Sequence, residues 1–398
     1  RLKWEVLNKK IGYGLTWEPL AKGGAFAKYY SDIYLLLNWS HDGAELGEIN
    51  IQQNGQVSQV RQASDYWRKA GCTYSKRSQK GFSVRALPSN CIVTGKGPAI
   101  ISLSDIPNAY LLGWFNSRLI RFLVELQANY AEFNTGILKQ LPWVKPSGDD
   151  AWDMACVTEK ASIALRDINS FSVETNSFFV GIPIESSLEK TAEFLSRLRA
   201  SADEYVEMVQ EKWDRYVDFI YGIDTAALVL DDAEDVSSEE DDDVCEDVRA
   251  YSNEAVAAIL VSYCLGAAFG RWNLEVRPGE KQELSRDAFE PLPAYPPGQL
   301  TVPSENNIST YPIDIPSHGI LVDDPGSAFD IEFRLDAVFQ FLWKENASAV
   351  EADCVLSLGQ QSLRDYIRSP NKFFAEHLAK YSRSRRKAPI YWPLGTSS

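Results

Sequence analysis

The feature that most constrains this chain is a periodic apolar segment at residues 110–126, within the block YLLGWFNSRLIRFLVELQANYAEFNTGILKQLP. Apolar residues recur there at spacings of three and four, which places them on one face of a helix. They are Leu111, Leu112, Phe115, Leu119, Ile120, Phe122, Leu123 and Leu126. The periodicity predicts an amphipathic helix with Asn116, Arg118, Arg121 and Glu125 directed away from the buried face.

Short strand candidates surround this helix in the first 146 residues. They are 33–39, 48–51, 82–87 and 92–94, separated by Gly, Asn and Ser turns, together with the apolar residues just before Pro142. Farther along, Leu195, Ala202, Val209 and Tyr216 lie seven residues apart and predict a long helix with one buried face. We therefore predict an α+β fold, in which a mixed α/β domain precedes a helical spacer and a mostly helical C-terminal domain.

Changes in composition set the predicted segment boundaries. The mixed domain covers residues 1–147 and the helical spacer covers 148–230. Residues 231–247 contain 11 Asp and Glu, and such a run predicts a disordered acidic loop because it cannot bury enough apolar surface to fold. The C-terminal domain covers 248–398 and includes a Pro-rich linker at 277–325. Its apolar stretch at 255–270 is too short to span a membrane and predicts a packed internal helix.

The net charge of −15 is distributed unevenly. Residues 1–150 carry 18 basic and 12 acidic side chains, and residues 361–398 carry 8 basic and 2 acidic ones, so each of these regions has a balance of +6. The remaining residues, 151–360, have a balance of −27. Because physiological salt screens charges beyond about 8 Å, two cationic regions can contact an anionic polymer despite the acidic total.

Cysteine and histidine usage argues against a metal or disulfide framework. The six cysteines show no Cys-x-x-Cys spacing, and the three histidines are dispersed, so each is assigned a structural place. Neither a secretory signal nor a membrane-spanning apolar run is visible in the sequence. These features predict a protein of the reducing cytoplasm with no membrane partner.

Three ordered groups of motifs carry a resemblance to one family. The first is Lys22-Gly23-Gly24, Lys28-Tyr29-Tyr30 and Leu37-Asn38-Trp39; the second is Gly71-Cys72-Thr73-Tyr74-Ser75, Phe82-Ser83-Val84-Arg85 and Gly95-Lys96-Gly97; the third is Ser362-Leu363-Arg364-Asp365-Tyr366 with Pro389-Ile390-Tyr391-Trp392. Together with the Leu111-Leu112-Gly113 helix opening, they resemble the C-terminal region of BREX-type and related type IIG adenine-specific DNA methyltransferases.

The resemblance implies that the chain contains the target-recognition domain, spacer and C-terminal domain of such an enzyme. It implies double-stranded DNA as a partner, a methyltransferase catalytic domain in cis or in trans, and other phage-defence proteins as further partners. In this family a methyl group passes from S-adenosylmethionine to adenine N6, after the base has turned out of the stack. This chain is expected to supply specificity and to clamp the duplex.

The motifs for that chemistry are absent from this sequence. A family methyltransferase has a glycine-rich cofactor loop and an Asn/Asp-Pro-Pro-Tyr/Phe tetrapeptide, whereas the Pro-Pro here occurs in Tyr295-Pro296-Pro297-Gly298. Gly12-Tyr13-Gly14 lacks a following glycine at cofactor-binding spacing and predicts a turn. We therefore assign neither catalysis nor a cofactor to this chain. We expect S-adenosylmethionine in a catalytic domain outside it, and we expect the chain to be part of a larger protein or separated from its catalytic half.

Two groups of cations are the candidate DNA contacts. Lys76, Arg77, Arg85 and Lys96 are interleaved with aromatic residues in the strand-rich region, and Arg383, Arg385, Arg386 and Lys387 lie near the C-terminus. Cations of this kind contact phosphates and base edges, and the Arg guanidinium offers a bidentate fork. The alternatives are an ordinary solvated face for the first group and a solvated basic turn for the second.

Other functions also stay open at this point. The chain could be a non-enzymatic specificity subunit, or an acidic DNA mimic that uses residues 231–247. An intact hydrolase or nuclease is disfavoured because the sequence shows no compact Asp/Glu-x-Lys or His-centred motif.

Overall fold

The computed structural model describes residues 17–55, 64–228, 251–275, 287–300, 311–316 and 319–381. These residues form two compact units. The first unit contains the described residues of 1–166, 202–244 and 285–292, and the second contains those of 167–201, 245–284 and 293–398. Each unit is thus assembled from separate stretches of the chain. The combination of helices with small sheets confirms the predicted α+β class.

Two three-stranded sheets lie in the first unit. The strands are β1 (Trp17–Ala21), β2 (Leu36–Asn38), β3 (Gly71–Tyr74), β4 (Val84–Leu87), β5 (Ile92–Val93) and β6 (Ala99–Ile100). One sheet has the order β2-β1-β5, in which β1 pairs antiparallel with β2 and parallel with β5. The other has the order β4-β3-β6 and is antiparallel throughout, with Thr73 facing both Arg85 and Ala99. Strands β3 and β4 are buried along their whole length, so their side chains do not alternate between apolar and polar.

Four helices complete the N-terminal part of the first unit: α1 (Ser40–Asn54), α2 (Asn108–Asn116), α3 (Arg118–Gln127) and α4 (Thr135–Leu138). The helix predicted at 110–126 is confirmed, but it is divided at Ser117. That residue has extended backbone (φ −65°, ψ 151°), and its hydroxyl donates to the carbonyl of Trp114 at 2.6 Å.

Two of the strand predictions are wrong. Residues 48–51 lie in α1, where Ile49 and Ile51 are exposed, and the apolar residues before Pro142 include the short helix α4. A short apolar run does not distinguish a strand from a turn of helix, which explains both errors. The candidates at 33–39, 82–87 and 92–94 contain the observed β2, β4 and β5, each shorter than predicted.

Asn116 and Arg121 are buried, which corrects the prediction that these two side chains point away from the core, whereas Arg118 and Glu125 are partly exposed. Asn116 is fully buried; its amide donates to the carbonyl of Val84 at 2.7 Å and accepts from the N–H of Val84 at 3.0 Å. Nε of Arg121 donates to the carbonyl of Phe82 at 2.9 Å, and Glu125 accepts from the N–H of Phe82 at 2.7 Å. The backbone at residues 82 and 84 is therefore paired with helix side chains, as buried backbone groups require.

Two long helices, α5 (Gly148–Ser172) and α6 (Leu188–Tyr221), contribute residues to both units. The first turn of α5 contains Asp149 and Asp150, where carboxylates stabilise the helix dipole, and the N–H of Asp150 donates to the hydroxyl of Ser147 at 3.1 Å. The long helix predicted from the heptad spacing is confirmed, with Leu195 and Val209 fully buried on α6.

The core of the first unit is rich in aromatic side chains. It includes Tyr29, Tyr74, Phe82, Tyr110, Trp114, Phe115, Phe133 and Trp213. The ring of Phe82 lies 5.2 Å from that of Phe133 and 6.4 Å from that of Phe115, and Tyr110 lies 5.0 Å from Trp213, all edge to face. Such contacts add to the stability gained from burial of the rings and fix α2, α3 and α6 beside the second sheet.

The second unit is built around α7 (Asn253–Ala268). Nearly every residue of this helix from Val256 onward is buried, which confirms the packed internal helix that the sequence predicts. Its neighbours include α8 (Ile331–Trp343), α9 (Ala347–Ser357), α10 (Leu363–Arg368) and α11 (Phe373–Tyr381). Within the described ranges, every helix is too short or too polar to cross a bilayer. The predicted acidic loop at 231–247 lies outside the described residues.

Candidate nucleic-acid interface

Arg85 is the buried centre around which several cationic loops of the first unit gather. Its side chain extends from β4, and the residue is only 3% exposed. One terminal nitrogen donates to the carbonyl of Ala25 at 2.9 Å and the other to the hydroxyl of Ser75 at 3.0 Å. That hydroxyl donates in turn to the carbonyl of Gly24 at 2.5 Å. Arg85 thus fixes both the 23–25 loop and the end of β3 in place.

The charge on Arg85 is unusual because both of these acceptors are neutral oxygens. Burial lowers the pKa of Arg85 to about 10, since a low-dielectric surrounding disfavours the charged form. The guanidinium still carries its positive charge at neutral pH. Because Arg85 is buried, its side chain positions the neighbouring loops and does not itself reach the surface.

Two glycines allow the neighbouring loops to approach each other. Gly23 has a φ of 107°, and a β-carbon there would lie 2.8 Å from the carbonyl oxygen of Lys96. At Gly97 a β-carbon would lie 2.6 Å from both the carbonyl of Ala21 and the N–H nitrogen of Gly23. A side chain at either position would separate the loops, which explains the Lys-Gly-Gly and Gly-Lys-Gly motifs.

Lys76 and Lys96 are neighbours through their backbones. The N–H of Lys76 donates to the carbonyl of Lys96 at 3.0 Å, and Lys96 lies in a tight turn closed by Thr94 and Gly97. Lys96 is exposed and Lys76 is half-exposed. With Lys22, which precedes the Gly23 contact, these residues place three cationic loop positions beside one another.

An ion pair links Lys76 to a second segment. Its Nζ lies 2.9 Å from a carboxylate oxygen of Glu132, and both side chains remain substantially exposed. The hydrogen bond from Lys76 lowers the pKa of Glu132 below its usual range. Arg77 is exposed and forms a β-bridge with Glu132. Exposed ion pairs of this kind contribute little stability.

Tyr130 is a prominent surface residue that the sequence patterns did not indicate. It is 92% exposed and occupies a turn in which the N–H of Glu132 donates to the carbonyl of Asn129 at 3.1 Å. Tyr130 and Ala131 both have a φ of 54°, the left-handed backbone of a type I′ turn. Such a turn favours Asn-Gly, and each residue with a β-carbon costs about 1–2 kcal/mol there. Tyr-Ala therefore gave no recognisable turn signal in the sequence.

The structure brings together part of the predicted site. Lys76 and Lys96 are joined by their backbones, Arg77 follows Lys76, and Arg85 lies below them. A DNA contact was predicted for all four residues. Since the guanidinium of Arg85 is buried, we assign this residue a role in supporting the loops. Arg383, Arg385, Arg386 and Lys387 lie outside the described residues.

The Pro-Pro of the sequence lies in a closely packed turn of the second unit. The Pro-Pro of the sequence adjoins Gly298, where a β-carbon would lie 2.7 Å from the backbone of Val180, and whose N–H donates to the carbonyl of Phe179 at 2.8 Å. This turn is packed against the second unit's own backbone at residues 179 and 180. Gly12-Tyr13-Gly14 lies outside the described residues, and among those that are described no group of three or more His, Cys, Asp or Glu is arranged to hold a metal ion.

Comparison with known proteins finds distant homology to two adenine-specific methyltransferases, which supports a relationship to BREX-type methyltransferases. It is 23% identical over 402 residues to the adenine-specific methyltransferase PglX of Lacticaseibacillus casei (strain Zhang). It is 21% identical over 413 residues to the adenine-specific methyltransferase BrxX of Escherichia coli O9:H4 (strain HS).

These alignments cover 96% and 94% of this chain but 30% and 31% of the two relatives. The chain therefore spans about a third of the length of the curated relatives it matches. No protein-family model matches it.

Proposed function

We propose that this chain is the region of a BREX-type adenine-specific DNA methyltransferase that recognises duplex DNA, within a restriction-modification or phage-defence system. The observation that carries the proposal is the convergence of the loops bearing Lys22, Lys76 and Lys96 above the buried Arg85. Distant homology over nearly the whole chain supports the methyltransferase relationship.

In this proposal the exposed cations make the DNA contacts. Lys76, Arg77 and Lys96 neutralise phosphates, and Arg77 is the best suited to read a base edge because its planar guanidinium makes bidentate contacts. Arg85 holds the loops at a fixed spacing before DNA arrives, which reduces the ordering entropy that binding has to overcome. Methyl transfer from S-adenosylmethionine to adenine N6 belongs to a catalytic domain acting in cis or in trans.

The test is a comparison of two triple variants with equal changes in net charge. One variant, Lys76→Ala with Arg77→Ala and Lys96→Ala, removes the proposed contacts. The control, Lys160→Ala with Lys190→Ala and Lys212→Ala, removes three exposed lysines from α5 and α6. Binding of the whole chain to mixed-sequence duplex DNA is measured by gel shift over a range of salt concentrations.

We expect the wild-type chain to bind in a salt-dependent manner and the site variant to bind more weakly. Removal of one phosphate-binding cation reduces the slope of log affinity against log salt by about one, so the site variant has the shallower slope. The control retains the wild-type slope. Equal reductions in the two variants would locate DNA binding elsewhere, and an absence of wild-type binding would favour an acidic DNA mimic.

Recognition of the DNA sequence by Arg77 is tested separately, with the variant Arg77→Ala in the presence of the catalytic domain. If Arg77 contacts a base, its removal relaxes the preference at one position of the methylated site and costs on the order of 1–3 kcal/mol there. A residue that contacts only phosphate weakens all sequences alike. Sequencing of methylated sites from a random duplex library distinguishes these results.

A further inference from the structure

Tyr130 presents a nearly complete aromatic ring to solvent from a turn of the first unit. The residue is 92% exposed, whereas Phe133, three residues later, is buried and packs 5.2 Å from Phe82. The two side chains thus have opposite environments at the two ends of one short segment.

The turn is held firmly despite its unfavourable backbone. Two backbone hydrogen bonds anchor it, from the N–H of Phe133 to the carbonyl of Lys76 at 2.6 Å and from the N–H of Ser78 to the carbonyl of Ala131 at 3.2 Å. Left-handed residues with a β-carbon persist only where their surroundings impose them, and such positions cluster at functional sites.

The chemistry around the ring indicates what it binds. Lys76 and Arg77 lie on the segment paired with Glu132, two residues after Tyr130, so the turn that carries the ring adjoins two cationic positions. An aromatic ring beside cations matches the way proteins bind opened nucleic acid, in which cations contact the backbone and the ring stacks on a base. Side chains that insert between two base pairs of a duplex likewise contact the faces of partly unstacked bases.

We propose that Tyr130 stacks on a nucleobase at a step of the duplex that opens when this chain binds. The inference rests on the proposed DNA-binding function and assigns to it a specific contact with an unstacked base. The hydrogen-bonded turn fixes the backbone from which the ring projects, so its insertion requires little ordering of the main chain.

The test uses two substitutions of Tyr130 and one control substitution, each in the whole chain. Tyr130→Gly removes the ring and also suits the left-handed backbone, so the variant folds at least as well as the wild type. Tyr130→Trp retains a stacking surface. The control is Phe219→Ala, which removes another highly exposed aromatic ring, 83% exposed on α6.

Two readouts follow: affinity for a duplex with one central mismatched pair relative to its matched duplex, and permanganate oxidation of unstacked thymines. We expect the wild type and Tyr130→Trp to prefer the mismatched duplex and to expose reactive thymines. Tyr130→Gly is expected to lose this reactivity and about tenfold in affinity, and Phe219→Ala to match the wild type.

The outcomes separate the two proposals. If the wild type binds matched duplex with a normal salt dependence, and Tyr130→Gly equals it in affinity, mismatch preference and thymine reactivity, the stacking role is overturned while DNA binding stands. In that case a protein surface would be the remaining candidate partner of the Tyr130 ring. If the wild type does not bind duplex DNA at all, the proposed function fails, and the stacking role fails with it.

Discussion

Gly113 of α2 lies directly against the indole of Trp213 on α6. A β-carbon at residue 113 would be 2.0 Å from Cε2 and 2.1 Å from Nε1 of that ring. Trp213 is fully buried, and its Nε1 donates to the hydroxyl of Thr158 at 2.7 Å, so the ring has no room to turn aside. The Leu-Leu-Gly opening of the helix is explained by this close approach of α2 to α6.

We predict that Gly113→Ala destabilises the first unit. Alanine normally favours a helix over glycine by about 0.5–1 kcal/mol, but the overlap with Trp213 forces a shift that costs on the order of 2–3 kcal/mol. Urea unfolding followed by tryptophan fluorescence measures the change. Gly136→Ala is the matched control, because an added β-carbon in α4 meets nothing within 4 Å. Similar midpoints for the two variants would show that the contact is not restrictive.

Asn116 supplies the acceptor for the buried N–H of Val84, and its removal is predicted to be costly. Asn116→Ala leaves that N–H without the amide oxygen, whereas the carbonyl of Val84 keeps the N–H of Tyr29 as a donor at 2.9 Å. Loss of the partner of a buried polar group costs about 1–3 kcal/mol, so we expect a loss of that size in the free energy of unfolding.

Two further variants test that explanation. Asn116→Asp still accepts from the N–H of Val84 but cannot donate to its carbonyl, so it should not restore the wild-type stability. Asn346→Ala removes an exposed asparagine whose side chain makes no capping hydrogen bond, and it should change the unfolding midpoint little. Were Asn116→Ala as mild as Asn346→Ala, the paired amide would not be important to the fold.

The sequence predicts long helices well and short elements poorly, for physical reasons. Leu195 and Val209 belong to one buried face that continues over many turns, and residues 255–270 form a continuous apolar run. In both cases many residues carry the same signal, so no single residue decides the prediction. The apolar residues before Pro142 amount to one turn, where a strand and a helix look alike. The break at Ser117 was invisible because the apolar spacing continues across it.

Buried polar residues were the second source of error. Asn116 and Arg121 lie off the periodic apolar face, which normally indicates exposure, yet their partners are buried backbone atoms at residues 82 and 84. Arg85 is a similar case: it lies between Val84 and Ala86 in a strand buried on both faces. A cation inside such an apolar run could have been recognised as structural, whereas Tyr130 had no comparable signal.

The stability of the first unit is predicted to fall as the pH rises from about 4.5 to about 7. Burial, and after it the neighbouring Asp287, raises the pKa of Glu159 from 4.5 to about 7. Between these values the folded chain keeps a proton that the unfolded chain has lost, so the folded state is favoured at low pH and loses this advantage near pH 7. Because Glu159 is partly exposed, we expect an effect of about 1 kcal/mol.

Glu159→Gln isolates this contribution. The amide has no proton to lose, so the variant should gain stability relative to the wild type between pH 5 and pH 8, as measured by urea midpoints at both values. Glu204→Gln, at an exposed position of α6, is the control. If Glu159→Gln and the wild type showed the same change in urea midpoint with pH, the carboxyl of Glu159 would be excluded as the source of that pH dependence.

Arg364 of α10 joins three carboxylates of the second unit, and this pairing is predicted to be essential for its stability. Both terminal nitrogens form a fork with Asp330, at 2.9 and 2.7 Å, and Nε donates to Glu332 at 2.9 Å; Asp323 is a further partner. Asp330 is 5% exposed and also caps α8 by accepting from the N–H of Phe333 at 3.2 Å.

Arg364→Ala leaves the buried carboxylate of Asp330 without its cation, so we expect a loss on the order of 3–5 kcal/mol in the free energy of unfolding. Arg368→Ala is the matched control: that side chain is 53% exposed and pairs with Asp323, and its removal should cost less than about 1 kcal/mol. The double variant Arg364→Met with Asp330→Asn keeps a capping side chain and removes the buried charge, so it should be more stable than Arg364→Ala. If the double variant were less stable than the single one, the unpaired carboxylate would not be the cause of the loss.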